Sequence, residues 1–559
     1  MNWEKIFLVG VLFYLFITDL SAQVEENSFI AGGGIGWDIA NSITVSDIAF
    51  ITGSFQDTAI FGNMSVTCEG EQDIFVLSYD FLWGQIEWVV RAGGEGINSG
   101  QDIAMDGQGN IYITGYFSGT AEFGDITLNS IGEKDIFVAK LDYNGNWLWA
   151  QRAGGISNDY SNSIAIDSND NILITGRFYE TAYFGNIELI SSGSADIFIA
   201  KLSSTGSWLW ATNAGGEDYA ESTAISISQN DEIYITGFFS GTIEFATKDN
   251  EVSLSSTGWA DVFVAKLDSD GKWIWAIRAG SEQLDISHDI YSYSYDSGYD
   301  VIYITGEFRG TAHLGEDIII SGSSYLPNIF VAKIDGEGIW LWAQQSLGTA
   351  ASIARSICSY QNVQQLVIVG NYWNDVQFGN FELHDSGSFI ALINTDSGDW
   401  LHAQRIGNSS TLQGYSASSV PEHVDILILV TGIFSGSVQF GGQTYHSVGL
   451  TDIYIAGYFF LSNVLPVPTE LLVYNYPNPF NPETTIIFRL PQATEVRLEI
   501  FNIKGQKIAT LLNDYRGIGE HRIEWNGKDN QGTIQSSGVY LYRLLTAKES
   551  VFNKMVKVK

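Results

Sequence analysis

The sequence predicts an all-β protein, a seven-bladed β-propeller followed by a small β-sandwich. Three observations predict it. The triplet Ile-Thr-Gly, or a close variant, recurs seven times: at Ile51–Gly53, Ile113–Gly115, Ile174–Gly176, Ile235–Gly237, Ile304–Gly306, Ile368–Gly370 and Val430–Gly432, spaced 61 to 69 residues apart. Each unit holds four short segments rich in Ile, Val, Phe and Trp, separated by turn residues. Beyond a Pro-bearing stretch at 464–468 the repeat stops and a different pattern of short alternating strands begins.

The chain opens on Lys5, the apolar run Ile6–Ile17 and the small residues Ser21-Ala22, the layout of a secretory leader over residues 1–22. Twelve apolar residues are too few for a permanent anchor, which needs about 20. No Cys stands directly after the run, so a lipoprotein anchor is not expected, and no later stretch is long enough to cross a bilayer, so neither is a transmembrane anchor. A net charge of −37 excludes nucleic acid and anionic lipid as partners, because phosphate contacts need clustered Lys and Arg. That charge is uneven. Residues 470–559 hold 12 Lys/Arg against 9 Asp/Glu, which leaves 15 against 55 in the rest. Cys68 and Cys358 occupy non-equivalent positions and read as two separate thiols.

Residues 23–462 form the repeat region. In the third unit the four segments are Ser163–Asp167, Asn171–Phe178, Asp196–Leu202 and Trp208–Ala211, with an extra hairpin expected around Phe184-Gly185. Four strands per unit, repeated seven times, is the composition of a propeller. The seventh unit lacks its Trp-x-Trp-Ala segment. Ser28–Gly33, at the start, resembles the tail of that segment and is expected to complete the last blade, which removes free sheet edges. The units resemble the SBBP family of bacterial propeller repeats, through Ile-Thr-Gly, Asp135–Asp142 (DIFVAKLD) and the Gly-Gly after the Trp segment. The resemblance implies a propeller and no particular activity.

Eleven of the sixteen tryptophans fall in the fourth segments (Trp83, Trp88, the pairs 147/149, 208/210, 273/275 and 340/342, and Trp400), and their recurrence favours packing between blades over sugar stacking. Trp37, Trp259 and Trp373 break the pattern and are the better ligand candidates. The recurring Lys140, Lys201, Lys266 and Lys333, and Arg91, Arg152, Arg278 and Arg405, are expected to pair with the repeated Asp of Asp-Ile-Phe. Asp38, Asp159, Asp218 and Asp285 align in the loop leading into their units, with Asn98 and Ser352 in two others. The preferred reading is that each caps its own turn. Crowded at a channel mouth, the same carboxylates would be oxygen ligands for Ca²⁺, the one cofactor considered. Asp-x-Asn-x-Asn at 167–171 reads as a hairpin turn. No His-Glu-x-x-His, Gly-x-Ser-x-Gly, Walker loop or Cys-x-x-Cys occurs, so no catalytic residue is assigned.

After a linker at 463–473, residues 474–559 show short alternating strands that suggest the sandwich. The tail resembles the type A C-terminal sorting domain of type IX secretion cargo. The landmarks are Pro477, Asn478, Pro479 and Phe480, then Ile500–Gly505, then Gly538, Val539 and Tyr540, and a basic-apolar end with Lys554 and Val556. Asn526–Gly532 is similar to the Ig-like domain of flagellar hook-capping proteins, which implies an Ig-like sandwich. The resemblance implies Sec export, recognition by the type IX machinery, and a secreted or outer-membrane surface location. The functional expectation is a non-enzymatic binding module for glycan or protein. The alternatives are a carbohydrate-active enzyme with two unmarked carboxylates, or a structural envelope protein.

Overall fold

The computed structural model describes residues 24–558, apart from 248–250, 296–297, 349, 361–363, 421–425, 461–471, 477–479, 481, 491–493, 517–518 and 547–549. The leader expected at 1–22 lies outside the described residues, as does nearly all of the linker. The chain divides into two compact units, residues 22–461 and 462–559.

In the first unit, seven antiparallel sheets share one plan. Blade 3 shows it: Tyr160–Ile166 is innermost, then Ile172–Phe178, Asp196–Leu202 and outermost Trp208–Ala214. The innermost strands of consecutive blades touch, and Gln413–Ser419 of blade 7 touches Ile39–Val45 of blade 1, so the ring is closed. Val24–Gly33 is the outermost strand of blade 7, with Glu25 opposite Phe459 and Gly32 opposite Ile453. Its Phe29 is buried among Phe434, Phe440 and Tyr454, with ring centroids 5.0–6.0 Å apart.

In units 1, 2, 3 and 5 the extra hairpin does not stay in its own blade, whereas in units 4, 6 and 7 it forms a two-stranded sheet of its own. Thr181–Phe184 of unit 3 pairs with Trp147–Gly155, the outermost strand of blade 2, through Phe184 opposite Ala153. Unit 1's hairpin likewise caps blade 7, with Phe61 opposite Gly32. Blades 1, 2, 4 and 7 become six-stranded in this way, and each outer edge is covered by the next unit.

The repeated residues have local reasons. In six units the Thr after the Ile is buried and donates to a third-strand carbonyl, as Thr175 does to Phe198 O at 2.8 Å. Trp149 lies against the turn of the next blade, its Nε1 donating to Ser204 O at 3.2 Å. Gly206 in that turn has φ +83, and a Cβ there would sit 3.0 Å from the Trp149 ring. Trp88, Trp210, Trp275 and Trp342 meet Gly145, Gly271, Gly338 and Gly398 in the same way. Trp83 departs from the packing expectation: it lies in the turn before the outermost strand of blade 1 and is 80% exposed.

The second unit has a three-stranded sheet (Leu472–Tyr476, Thr484–Leu490, Gly519–Trp525) and a four-stranded one (Lys507–Arg516, Thr494–Asn502, Gly538–Leu545, Ser550–Lys557). Both contribute to one core, with Ile486, Phe488 and Trp525 from the first and Leu498, Ile500, Tyr542 and Met555 from the second.

Candidate functional site: the mouth of the propeller channel

Every innermost strand carries a β-bulge at the same place, between Ala40 and Ser42 in blade 1 and between Gly414 and Ser416 in blade 7. The other five shifts fall at Gly100/Asp102, Ser161/Ser163, Ser222/Ala224, Ser287/Asp289 and Ala354/Ser356. A bulge leaves one residue unpaired and re-aims its side chain. Here those residues are Asn41, Gln101, Asn162 and Thr223, then His288, Arg355 and Tyr415. All seven are partly buried, while the residue before each is buried. Asn41, Asn162 and Thr223 reach the innermost strand of the following blade, at Gly100 O (2.7 Å), Ser222 O (2.9 Å) and Ser287 O (2.8 Å). The seven therefore form a ring about the axis, at the end where the chain enters each innermost strand.

The Gly of Ile-Thr-Gly makes the bulge possible. Gly176 pairs with Ser161, and a Cβ on it would fall 2.0 Å from Tyr160 O. The corresponding distances at Gly53, Gly115, Gly237, Gly306, Gly370 and Gly432 are 1.9–2.1 Å. The scaffold repeats, but the ring residues differ from blade to blade.

Two charged clusters border the ring. Arg177 pairs with Glu221, which also accepts from Asn162 and Tyr219, and the guanidinium lies over the Tyr160 ring at 4.1 Å. In blade 5, Arg309 Nη2 approaches Glu307 Oε2 at 3.5 Å and His288 faces Glu307 at 3.9 Å, too far for a hydrogen bond. Burial holds the His288 imidazole below its usual pKa against the pull of Glu307, and the Arg355 charge adds to that. Burial pushes Glu307 up, but His288, Arg309 and Arg355 together hold it below the usual carboxylate range. Lower in the ring, Asp102 accepts from Ser42 (2.6 Å) and Ser163 (2.8 Å) and joins three innermost strands.

The aligned acids lie in the loops outside this ring. Asp38 accepts from Gly34 N and Gln56 N, Asp159 from Gly155 N (2.7 Å) and Tyr179 N (3.0 Å), and Asp285 from Ser281 N and Arg309 N. Each thus caps its own loop. Asp218 is not equivalent to them. It is exposed, and Ala220 takes the position, its N bonded to Ala195 O as Asp159 N is to Lys134 O. Among the described residues no three His, Cys, Asp or Glu side chains are grouped to hold a metal ion. Burial pushes Asp38 and Asp285 up to about 6 and Asp159 to about 7. The nearby third-strand acid, Asp135 beside Asp159, adds to the push.

The repeated cations divide. Arg152 pairs with Asp135 at 2.7 Å, and Arg91 and Arg278 with Asp73 and Asp261, as the repeat implies. The lysines do not follow, because they sit at the other end of the third strand: Lys201 pairs with Asp167 at 2.8 Å, Lys266 approaches Glu232, and Lys140 lies over Tyr112. Asp167 caps its turn, accepting from Asn169 N and Asn171 N. Trp37, Trp259 and Trp373 are 48%, 76% and 40% exposed, and all three lie in loops on the ring's side of the propeller. A groove of about 440 Å³ between Arg278, Glu316 and Trp340 lies instead at the outer rim.

In the tail, Phe480 is buried 5.5 Å from the Trp525 ring, and Tyr540 lies 5.1 Å from it on an edge. Phe480 also bonds Val556 O and receives from Val558 N, which ties the start of the domain to its end. Val539, Lys554 and Val556 are at least partly open to solvent, and Gly538 is exposed. Pro477, Asn478 and Pro479 lie outside the described residues.

Fold and site together define a closed repeat propeller joined to a β-sandwich. Residues 148–177 match the family described as Beta-propeller repeat (SBBP), and residues 475–559 match the Secretion system C-terminal sorting domain. The chain thus carries an SBBP-type propeller repeat and a type IX sorting domain, which marks it for secretion to the cell surface. Among the described residues no helix is long and apolar enough to cross a membrane. The chain is 26% identical over 326 residues (47% of this chain, 23% of the relative) to an uncharacterized WD repeat-containing protein of Acanthamoeba polyphaga mimivirus. It is 26% identical over 205 residues (35% of this chain, 21% of the relative) to the regulatory protein FlaEY of Caulobacter vibrioides. The chain spans less than a quarter of the length of these curated relatives. Among solved structures, Chaetomium thermophilum Raptor is similar at 9% identity and a TM-score of 0.40, over 80% of this chain and 30% of that one. PorZ of Porphyromonas gingivalis, a surface component of the type IX secretion system, is similar at 9% identity and a TM-score of 0.15, over 95% of this chain and all of that one. Likenesses this remote say nothing about function.

Proposed function

We propose that the propeller is a non-enzymatic binding module, delivered to the cell surface by its sorting domain, and that it takes a glycan ligand at the channel mouth. The observation that carries this reading is the ring itself. Seven side chains of six residue types, with only Asn41 and Asn162 alike, stand on a bulge that every blade repeats, and variable residues on a rigid scaffold are how binding surfaces are built. Amides and tyrosines dominate the ring and its border, which suits hydroxyl recognition and stacking. Of the carboxylates there, Glu221 and Glu307 each face an arginine, and Asp102 is partly buried against serine hydroxyls. Glu307, held below the usual carboxylate range, is a poor proton donor, which supports binding over hydrolysis at that residue.

The test is a glycan array and a surface-protein pull-down with the full chain, with and without Ca²⁺, run alongside Gln101→Trp. Gln101 bonds only to Ser99 of its own strand, at 2.8 Å, so a bulky ring there blocks the mouth at little cost to the fold. The expected result is glycan binding that Gln101→Trp removes. Binding unchanged by the substitution would move the site elsewhere, and binding that needs Ca²⁺ would return attention to the capped acids.

A further inference from the structure

The ring contains one anomaly of charge. Seven arginines fall in the propeller, and Arg91, Arg152, Arg177, Arg278, Arg309 and Arg405 each pair with a carboxylate. Arg355 is the seventh. Among the described residues it has neither an ion-pair partner nor a hydrogen bond. Its Nε, like those of Arg177 and Arg405, is shut away from solvent without an acceptor, but those two arginines have a carboxylate at their other nitrogens. In a chain with 64 acidic and 27 basic residues, an arginine left unpaired at a protein's centre is conspicuous. A buried guanidinium nitrogen without an acceptor is costly unless something else supplies the oxygen.

What surrounds Arg355 narrows that something. It stands on the bulge of blade 6, between His288 on blade 5 and Tyr415 on blade 7. His288 Nε2 is likewise buried without a hydrogen-bond partner. The Arg355 charge reaches His288, Glu307 and Tyr415: it adds to the lowering of the first two and opposes the burial that raises the third. Glu307, the acid within that reach, is engaged by Arg309. A planar fork beside an imidazole, both lacking acceptors, is complementary to a carboxylate, which accepts two parallel N–H bonds. The rest of the ring offers the amides of Asn41, Gln101 and Asn162, donors and acceptors for hydroxyls.

We infer that the mouth binds an acidic sugar, the carboxylate of a uronate residue seated on Arg355 and His288 and its hydroxyls on the amide side of the ring. This rests on the reading of the mouth as a glycan site. The surrounding negative surface repels polyanions at long range and leaves recognition to the short-range fork. A singly charged, short uronate oligosaccharide fits better than a densely charged polymer.

The experiment is titration calorimetry on the full chain with three probes: a glucuronate-containing disaccharide, its carboxyl-reduced neutral counterpart, and a triglutamate peptide. Each is repeated with Arg355→Gln and Gln101→Trp, whose melting temperatures are checked against the parent. The expected result is binding of the glucuronate probe at least ten-fold tighter than of either other probe. Arg355→Gln should erase that preference, and Gln101→Trp should abolish binding. Equal affinity for the neutral disaccharide, or a glucuronate affinity untouched by Arg355→Gln, would overturn the inference. If the neutral disaccharide binds and only Gln101→Trp removes it, the mouth stands as a glycan site without the acidic specificity. Tighter binding of triglutamate would replace the sugar by an acidic peptide. If no probe binds any protein, the inference falls.

Discussion

At the scale of single residues, the Ile-Thr-Gly triplet encodes a backbone event. Ile packs between sheets, Thr satisfies a buried carbonyl, and Gly leaves room for the carbonyl of the bulged neighbour. Gly176→Ala forces a methyl to within 2.0 Å of Tyr160 O, a backbone atom that moves only if the bulge does. Overpacking a site of this kind costs about 1–3 kcal/mol or more, so the melting temperature should fall by several degrees. A melting temperature equal to the parent's would mean that the bulge relaxes freely. The triplet was legible as a repeat, yet its purpose was hidden, because a bulge leaves no mark of its own in residue type. The ring was missed for the same reason. The available signal was the residue two before the aligned Ile (Asn41 before Ile43, Gln101 before Ile103), an amide in three units and Thr, His, Arg or Tyr in the others, while the residue before it is always Gly, Ala or Ser. Asp218 was misplaced because the nearest acid was taken: Asp38, Asp159 and Asp285 lie five residues before Ile43, Ile164 and Ile290, but the residue five before Ile225 is Ala220. Counted forward from the glycine that opens each loop, Gly34 to Asp38 and Gly155 to Asp159 span four residues, and Gly216 then leads to Ala220.

At the scale of elements, loops and third strands meet at buried acid pairs. Gly154 packs between Asp159 and Asp135, and a Cβ on it would lie 2.9 and 3.0 Å from their oxygens. Asp135 Oδ1 accepts no hydrogen bond. In blade 2 the loop position is Asn98, whose Nδ2 donates to Asp73 Oδ1 at 3.1 Å. A proton on Asp159 would play the part of that amide hydrogen. The folded pKa, about 7, lies above the ordinary value of about 3.9. The folded state therefore holds the proton more tightly than the unfolded one, and the stability it contributes is complete below pH ~4 and lost as pH rises through ~7. Asp38 and Asp285 follow the same course to about 6. Asp159→Asn should be more stable than the parent at pH 8, and should flatten the decline between pH 5 and 8 measured by thermal unfolding. A decline as steep as the parent's would place its origin elsewhere. Strand and turn placement was largely legible, because alternation and turn chemistry are local. The transfer of four hairpins to the preceding blade was not, since nothing in a hairpin's own residues states which edge it joins.

At the scale of the whole molecule, the N-terminal strand, the seven touching innermost strands and the shared hairpins make the propeller one closed body. Closure was legible from the missing segment of the seventh unit and its counterpart at the start. The sorting domain was legible from ordered landmarks, and Phe480 and Tyr540 prove to be the residues that pack on Trp525. The ligand was not legible, because recognition depends on side chains from seven blades that are brought together only by closure. The most direct test is a crystal structure of the chain soaked with the glycan retained on the array. The account predicts ligand density within the ring, in contact with Gln101, Asn162 or Tyr415. Density confined to the rim groove near Trp340, with an empty mouth, would contradict it.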